Sequence, residues 1–167
     1  VKEIDEGRQE YEVRVRKSRT SAEVPLISVG FGVSQVLPVL VLCYYAPEGS
    51  TVILEQPEIH LHPSVQMGLA DALIDVVNER NLQIIVESHS EHLLRRLQRR
   101  VAEERLAADK AALYFCRLAN GESEVDRLDL DLFGTIRNWP QDFFGDEMGE
   151  VTKRTVAAMQ RKEAAVG

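Results

Sequence analysis

Apolar positions change their spacing several times along this chain, and each spacing predicts an element. Tyr11, Val13 and Val15 alternate with charged residues, the period of a half-buried strand. With Val1 to Ile4 across the turn-like Asp5-Glu6-Gly7-Arg8, they predict a hairpin over residues 1–17. Arg16 to Glu23 is polar and predicts a loop, and Pro25 to Val29 is short and apolar. From Val33 to Ala46 the chain is apolar nearly all round, which predicts a buried helix, with Pro38 kinking it or lying in its first turns. Thr51 to Leu54 is a continuous apolar strand of the kind found inside a parallel sheet.

Pro63 opens a second helix, in which Val65, Leu69, Leu73 and Val76 recur at near-helical spacing until Asn81 closes it. Leu82 to Val86 reads as another buried strand. Ser88 with Glu91 three residues later fits a capping box, and Leu93, Leu94, Leu97 and Val101 share one face of the helix that follows. Ala112 to Leu118 predicts a third strand, Asn120-Gly121 a hairpin turn, and Glu124 to Leu130 the return strand. Residues 133–147 are irregular and hold the only Trp and three of the five Phe; from Met148 a charged, amphipathic closing helix is expected. This order predicts an α/β fold, a parallel-core sheet with antiparallel edge strands.

Composition changes this picture little. The 167 residues are 44% hydrophobic and 28% charged, enough for a domain with a core. No apolar run approaches the roughly 18 residues that span a bilayer, and the charged N-terminus is unlike a signal peptide. A cytoplasmic protein without a membrane partner is expected. Cys43 and Cys116 sit in apolar runs and read as buried thiols. A formal net charge of −7 does not support a nucleic-acid surface over the whole domain, although it leaves room for a local basic patch. Because the chain opens at Val1 directly into strand-like sequence, it reads as the C-terminal part of something longer.

Chemistry gathers where two apolar strands end. One ends on Glu55, Gln56 and Glu58; the other on Glu87, Ser88 and His89. Ligands in open α/β folds bind at the carboxyl ends of strands. If these two strands are neighbours, acids, an amide and an imidazole meet in one crevice. A carboxylate there can hold Mg²⁺, and an imidazole can donate to a phosphate oxygen.

"TVILEQPEIHLHP" resembles the Walker B segment and following loop of ABC-type ATPases, and is closest to the branch related to the overcoming-lysogenization-defect proteins. "IIVESHSEHLL" resembles their switch-histidine strand, and "VGFGVSQVLP" their degenerate signature. "FGTIRNWPQDFF" resembles a C-terminal domain of unknown function found in many bacterial AAA-type members. The resemblance implies the C-terminal half of a P-loop ATPase head over 1–118 and a family-specific extension over 119–167. It implies ATP and Mg²⁺ as cofactors and a homodimer that closes on nucleotide. Glu55 would be the Mg²⁺-orienting acid, Gln56 would stand at the catalytic glutamate, and His89 would sense the γ-phosphate. Gly30, Gly32, Ser34 and Gln35 would form the signature that caps a second subunit's nucleotide. Glu58 to His62 would cross the dimer interface, with Glu58 a candidate for catalysis and His62 for nucleotide contact. Coupling to a partner or to a DNA event, in DNA maintenance or phage defence, is fold-level analogy.

Two departures matter. An amide cannot take a proton from water, so Gln56 is not a general base. Either Glu58 or Glu87 takes over, or turnover is slow and the chain works as an ATP-gated interaction module. No Gly is followed by Lys, so the phosphate loop G-x-x-x-x-G-K-[ST] lies upstream or on another chain, or does not exist. A different class is a metal-dependent hydrolase built on His60, His62, His89 and His92. Plainer readings stand beside these: polar strand ends, a glycine turn before a helix, and a solvated face for the five arginines of "RRLQRRVAEER" rather than a phosphate-binding one. Trp139, Phe143 and Phe144 read as a local aromatic core rather than a base-stacking platform.

Overall fold

The computed structural model describes residues 2–5, 10–16, 18–28, 31–119, 121–140 and 143. Gly30, Phe144 and the expected closing helix from Met148 lie outside them. The chain divides into two compact units, Val1–Ala107 and Ala108–Gly167. The described residues are mixed α/β, with one parallel strand pair and several antiparallel ones.

In the first unit β1 (Lys2–Asp5) pairs antiparallel with β2 (Glu10–Glu12). The strand expected through Val15 is divided: β3 (Arg14–Val15) pairs instead with β4 (Val24–Pro25). The division falls at Val13, whose carbonyl accepts the Leu26 N–H at 2.8 Å, beyond the polar loop. A single 3₁₀ turn, Leu26–Ser28, leads to α1 (Phe31–Tyr45), with Pro38 in its interior. Proline there has no N–H for the Ser34 carbonyl.

The expectation that α1 is buried all round is corrected. Cys43 is fully buried, and Val36 and Val39 pack with it against the core, while Val41, Leu42, Tyr44 and Tyr45 are exposed. Only one side of this apolar helix faces the core.

That core is a β-α-β unit. β5 (Thr51–Glu55) and β6 (Gln83–Glu87) lie parallel, in register from Thr51 opposite Gln83 to Glu55 opposite Glu87. A parallel pair needs a crossover, and α2 (Pro63–Arg80) supplies it. Proline at the first helical position and left-handed Asn81 (φ 52°) at the end bound α2. Leu69, Leu73 and Val76 on α2 bury against Cys43, Val52, Leu54, Leu61 and Leu82. Each such side chain contributes about 1.5–3 kcal/mol of transfer free energy. On the other face of the pair Ile53 and Ile85 are exposed, so these strands are covered on one face rather than both.

α3 (Glu91–Ala102) starts two residues later than the expected capping box. Ser90, not Ser88, is the N-cap, and its Oγ accepts the Leu93 N–H at 3.0 Å. Ser88 Oγ is already engaged, accepting the Ser90 N–H at 3.0 Å. The arginine run is not one helix: Glu103 is the C-cap and Glu104 turns left-handed (φ 59°), so Arg105 lies past the end. Arg100 grips Asp71 of α2 with two bonds, at 2.7 and 2.9 Å, and also pairs with Glu103. Arg96 adds a contact to Asp71 at 3.3 Å. The Arg100 hydrogen bond, with both guanidiniums nearby, holds the Asp71 carboxyl below its ordinary range.

In the second unit a 3₁₀ turn, Ala108–Lys110, precedes β7 (Leu113–Ala119), which pairs antiparallel with β8 (Glu122–Leu128). Gly121, at φ 84°, occupies the tight turn between them, a conformation that favours glycine. Leu128 and Ile136 are buried, and Leu130 bridges to Ile136. The Asp131 carboxylate accepts the Thr135 and Phe133 N–H groups, each at 2.9 Å, which holds its pKa low. Phe143 lies tilted against Phe115 and meets Trp139 edge-on, each at 5.0 Å between ring centres, a local aromatic cluster. Cys116 lies exposed on β7, correcting its reading as buried; Cys43 alone of the two is buried. No described helix is long and apolar enough to cross a membrane.

Candidate functional site at the carboxyl edge of the parallel pair

The parallel register sets the site. Because Glu55 and Glu87 face each other as the last pair of the ladder, both acids stand at one edge of the sheet. Gln56 extends the ladder by one bond, its N–H donating to the Glu87 carbonyl at 2.9 Å. There the chain turns sharply. Gln56 (φ 44°) and His60 (φ 63°) both adopt the left-handed conformation without being glycine. Such residues cost on the order of 1–3 kcal/mol each and collect at functional sites.

Glu58 is 6% exposed, the one charged residue among the buried ones described. Its Oε1 accepts the His89 N–H at 3.0 Å, and its Oε2 has no hydrogen-bond partner among the described residues. Glu87 is open to solvent, and the His89 Nε2 lies 3.3 Å from its Oε1. That approach becomes an ion pair when the imidazole is protonated. The side chain of His89 is 80% exposed, so its backbone is tied while its ring is free to reach outward.

A cavity of about 400 Å³ opens beside this edge. Ser34 and Gln35 from the start of α1 line it, with Glu55, Gln56, Pro57 and Ile59. The structure thus brings Ser34 and Gln35 together with Glu55 and Gln56, and separately links Glu58, Glu87 and His89. Gly32 sits at the start of α1, where an added Cβ would meet Leu61 Cδ2 at an ordinary 3.5 Å.

His62 has a structural task as the N-cap of α2: its Nδ1 accepts from Ser64 N at 3.3 Å and lies 2.9 Å from Ser64 Oγ. Among the described residues no group of three or more His, Cys, Asp or Glu side chains could hold a metal ion, and these include all four histidines. The five arginines of the run all have acidic partners: Arg95 with Glu91, Arg96 and Arg100 with Asp71, Arg99 with Glu103, and Arg105 with Asp75.

Sequence reading missed Gln66 and Ser90. The Ser90 Oγ–H donates to Gln66 Oε1 at 2.6 Å, and Gln66 Nε2 donates to the Leu61 carbonyl at 2.9 Å. A glutamine in the first turns of a helix carries no signal of its own; only the register of β5 and β6 brings it to Ser90.

Acids, an amide and an imidazole thus gather at the carboxyl ends of parallel strands, the edge where open α/β folds ordinarily bind ligands. The chain belongs to the AAA ATPase domain family, whose model matches residues 1–94, more than half of its length. Residues 106–153 match a family described as a protein of unknown function, DUF3696, so the expected AAA domain with a following domain of unknown function is found. No curated protein matches the chain. An ATPase domain takes ATP, ordinarily with Mg²⁺, and supports the expectation of both cofactors in general terms.

Proposed function

We propose that this chain supplies the Walker B and switch half of an ABC-type head of the overcoming-lysogenization-defect-like branch. The head binds Mg-ATP in a composite site between two subunits and hydrolyses it. The observation that carries this reading is the in-register pair Glu55–Glu87 at one sheet edge, with the His89 ring beside Glu87. Exposed carboxylate oxygens are hard donors and fit Mg²⁺, which when bound neutralises charge on the phosphates.

Within this reading Glu55 orients the metal. His89 turns its exposed ring toward the terminal phosphate. Glu87 accepts the proton of the attacking water in place of Gln56, because it is the solvent-accessible carboxylate at that edge nearest the switch histidine. Gly30, Gly32, Ser34 and Gln35 close on the partner subunit's nucleotide. A phosphate loop outside these residues completes the site. Closure is coupled to a partner or DNA event; with the arginine run ion-paired, the positive charge for DNA would come from elsewhere. A second reading, a hydrolysis-silent ATP-gated module, rests on Gln56 standing where a carboxylate is expected. A histidine-based metal hydrolase has no three-ligand group among the described residues to support it.

The test is ATP turnover by the native polypeptide that carries this chain. Glu87→Gln should lower kcat by about 100-fold or more, the usual worth of a general base, with ATP affinity retained. Full activity in that variant would remove Glu87 from the role. Gln56→Glu separates the second reading: a large rise in turnover favours the silent module, and no change favours Glu87.

A further inference from the structure

We propose that Glu58 and Gln66 are positioning residues that clamp the backbone of the switch turn, and that Glu58 acts as a hydrogen-bond acceptor rather than as a base. Two links tie the loop after β5 and the start of α2 to the turn after β6. Glu58 Oε1 accepts the His89 N–H at 3.0 Å, and Gln66 Oε1 accepts the Ser90 Oγ–H at 2.6 Å. Each is itself fixed. Glu58 is 6% exposed, and Gln66 Nε2 is held on the Leu61 carbonyl at 2.9 Å. Ser90 in turn caps α3 through the Leu93 N–H. The links fall on successive residues, so the peptide of His89 is held on both sides while its ring remains 80% exposed.

A base must meet its proton directly. The geometry gives Glu58 no such reach: one oxygen is engaged by a backbone amide, and the other is buried with no partner among the described residues. Its geometry instead sets where the His89 ring starts from. A carboxamide offers the same acceptor oxygen, which makes the roles separable.

The kinetic part of this inference rests on the ATPase reading; the clamp itself does not. In the native polypeptide, hydrogen exchange over residues 88–93 should accelerate about tenfold in Glu58→Ala and stay near wild type in Glu58→Gln. ATP turnover should follow: kcat falls about tenfold in Glu58→Ala, with ATP affinity unchanged, and Glu58→Gln rescues it. Gln66→Ala, at a position only partly buried and so a second route if Glu58→Ala does not fold, should reproduce the faster exchange around Ser90 and the fall in kcat. Wild-type exchange in both alanine variants would overturn the clamp. Protected exchange but lost turnover in Glu58→Gln would overturn the positioning role and make Glu58 the base. A wild-type protein without turnover would sink the ATPase reading, while exchange would still decide the clamp.

Discussion

The two ends of the chain close their strands in opposite ways. In the first unit β5 and β6 are parallel, so both strands end at the same edge, on Glu55 and Glu87. In the second, β7 and β8 are antiparallel and joined by a tight turn, so their ends point apart and the polar residues pair across the ladder. Arg117 meets Glu124 at 2.7 Å and Asp126 at 3.2 Å. The parallel edge leaves carboxylates facing solvent and accepts left-handed strain at Gln56 and His60. The hairpin places its left-handed turn residue at Gly121, and Asp131 gathers its own loop's amides. The difference teaches that parallel pairing concentrates unsatisfied polar groups at one edge, where chemistry can use them, whereas antiparallel pairing satisfies them locally.

The largest test of this contrast is Ile136→Ala. Ile136 is 2% exposed in the hairpin unit, and its loss should cost about 3 kcal/mol. Trp139, the only tryptophan, lies in that unit's aromatic cluster and reports its unfolding by fluorescence. The denaturation midpoint should fall while ATP affinity persists; coupled loss of both would break the division of labour.

Next comes Asp71→Asn, at about 1 kcal/mol given the partial exposure of the pair. The folded pKa of Asp71 lies below its unfolded value. Its stabilisation is therefore fully present above the ordinary aspartate pKa near 3.9, and is lost as pH falls through the lower folded value. Circular dichroism across an acid titration should show a shallower loss of stability in the variant. An unchanged acid slope would mean that Asp71 does not link α2 to α3 energetically.

The smallest expected effect is Gly32→Ala. A Cβ there fits, so stability should hold or rise by about 0.5 kcal/mol, as alanine favours a helix over glycine. Reduced turnover in a folded Gly32→Ala protein would place the pressure for glycine outside the subunit, where a partner's nucleotide would approach. Undiminished turnover would weaken the composite site.

Much of the fold was legible because local physics wrote it. Pro63 and Asn81 bound α2 as read, since one lacks an N–H and the other tolerates left-handed backbone. The apolar runs ending at Glu55 and Glu87 were strands. The cap of α3 is not decided by sequence, because serines at 88 and 90 compete for similar bonds and only the folded turn sets which one the Leu93 amide reaches. The burial of α1 was overstated because periodicity reports how apolar a helix is, not how many neighbours cover it. The same holds for Cys116, whose apolar neighbours in sequence do not cover it.

For the site, the sequence alone supplies the residue types and their strand-end positions, and Glu55, Gln56, Glu58, Glu87 and His89 all stand out there. It does not supply their division of roles. That Glu58 lies buried on the His89 amide and that Gln66 reaches Ser90 depend on pairing between segments 31 and 24 residues apart. Local propensity carries no information about such pairing. It is set by the hydrophobic collapse of α2 onto β5 and β6, which fixes the register and so selects the carboxylates left facing solvent.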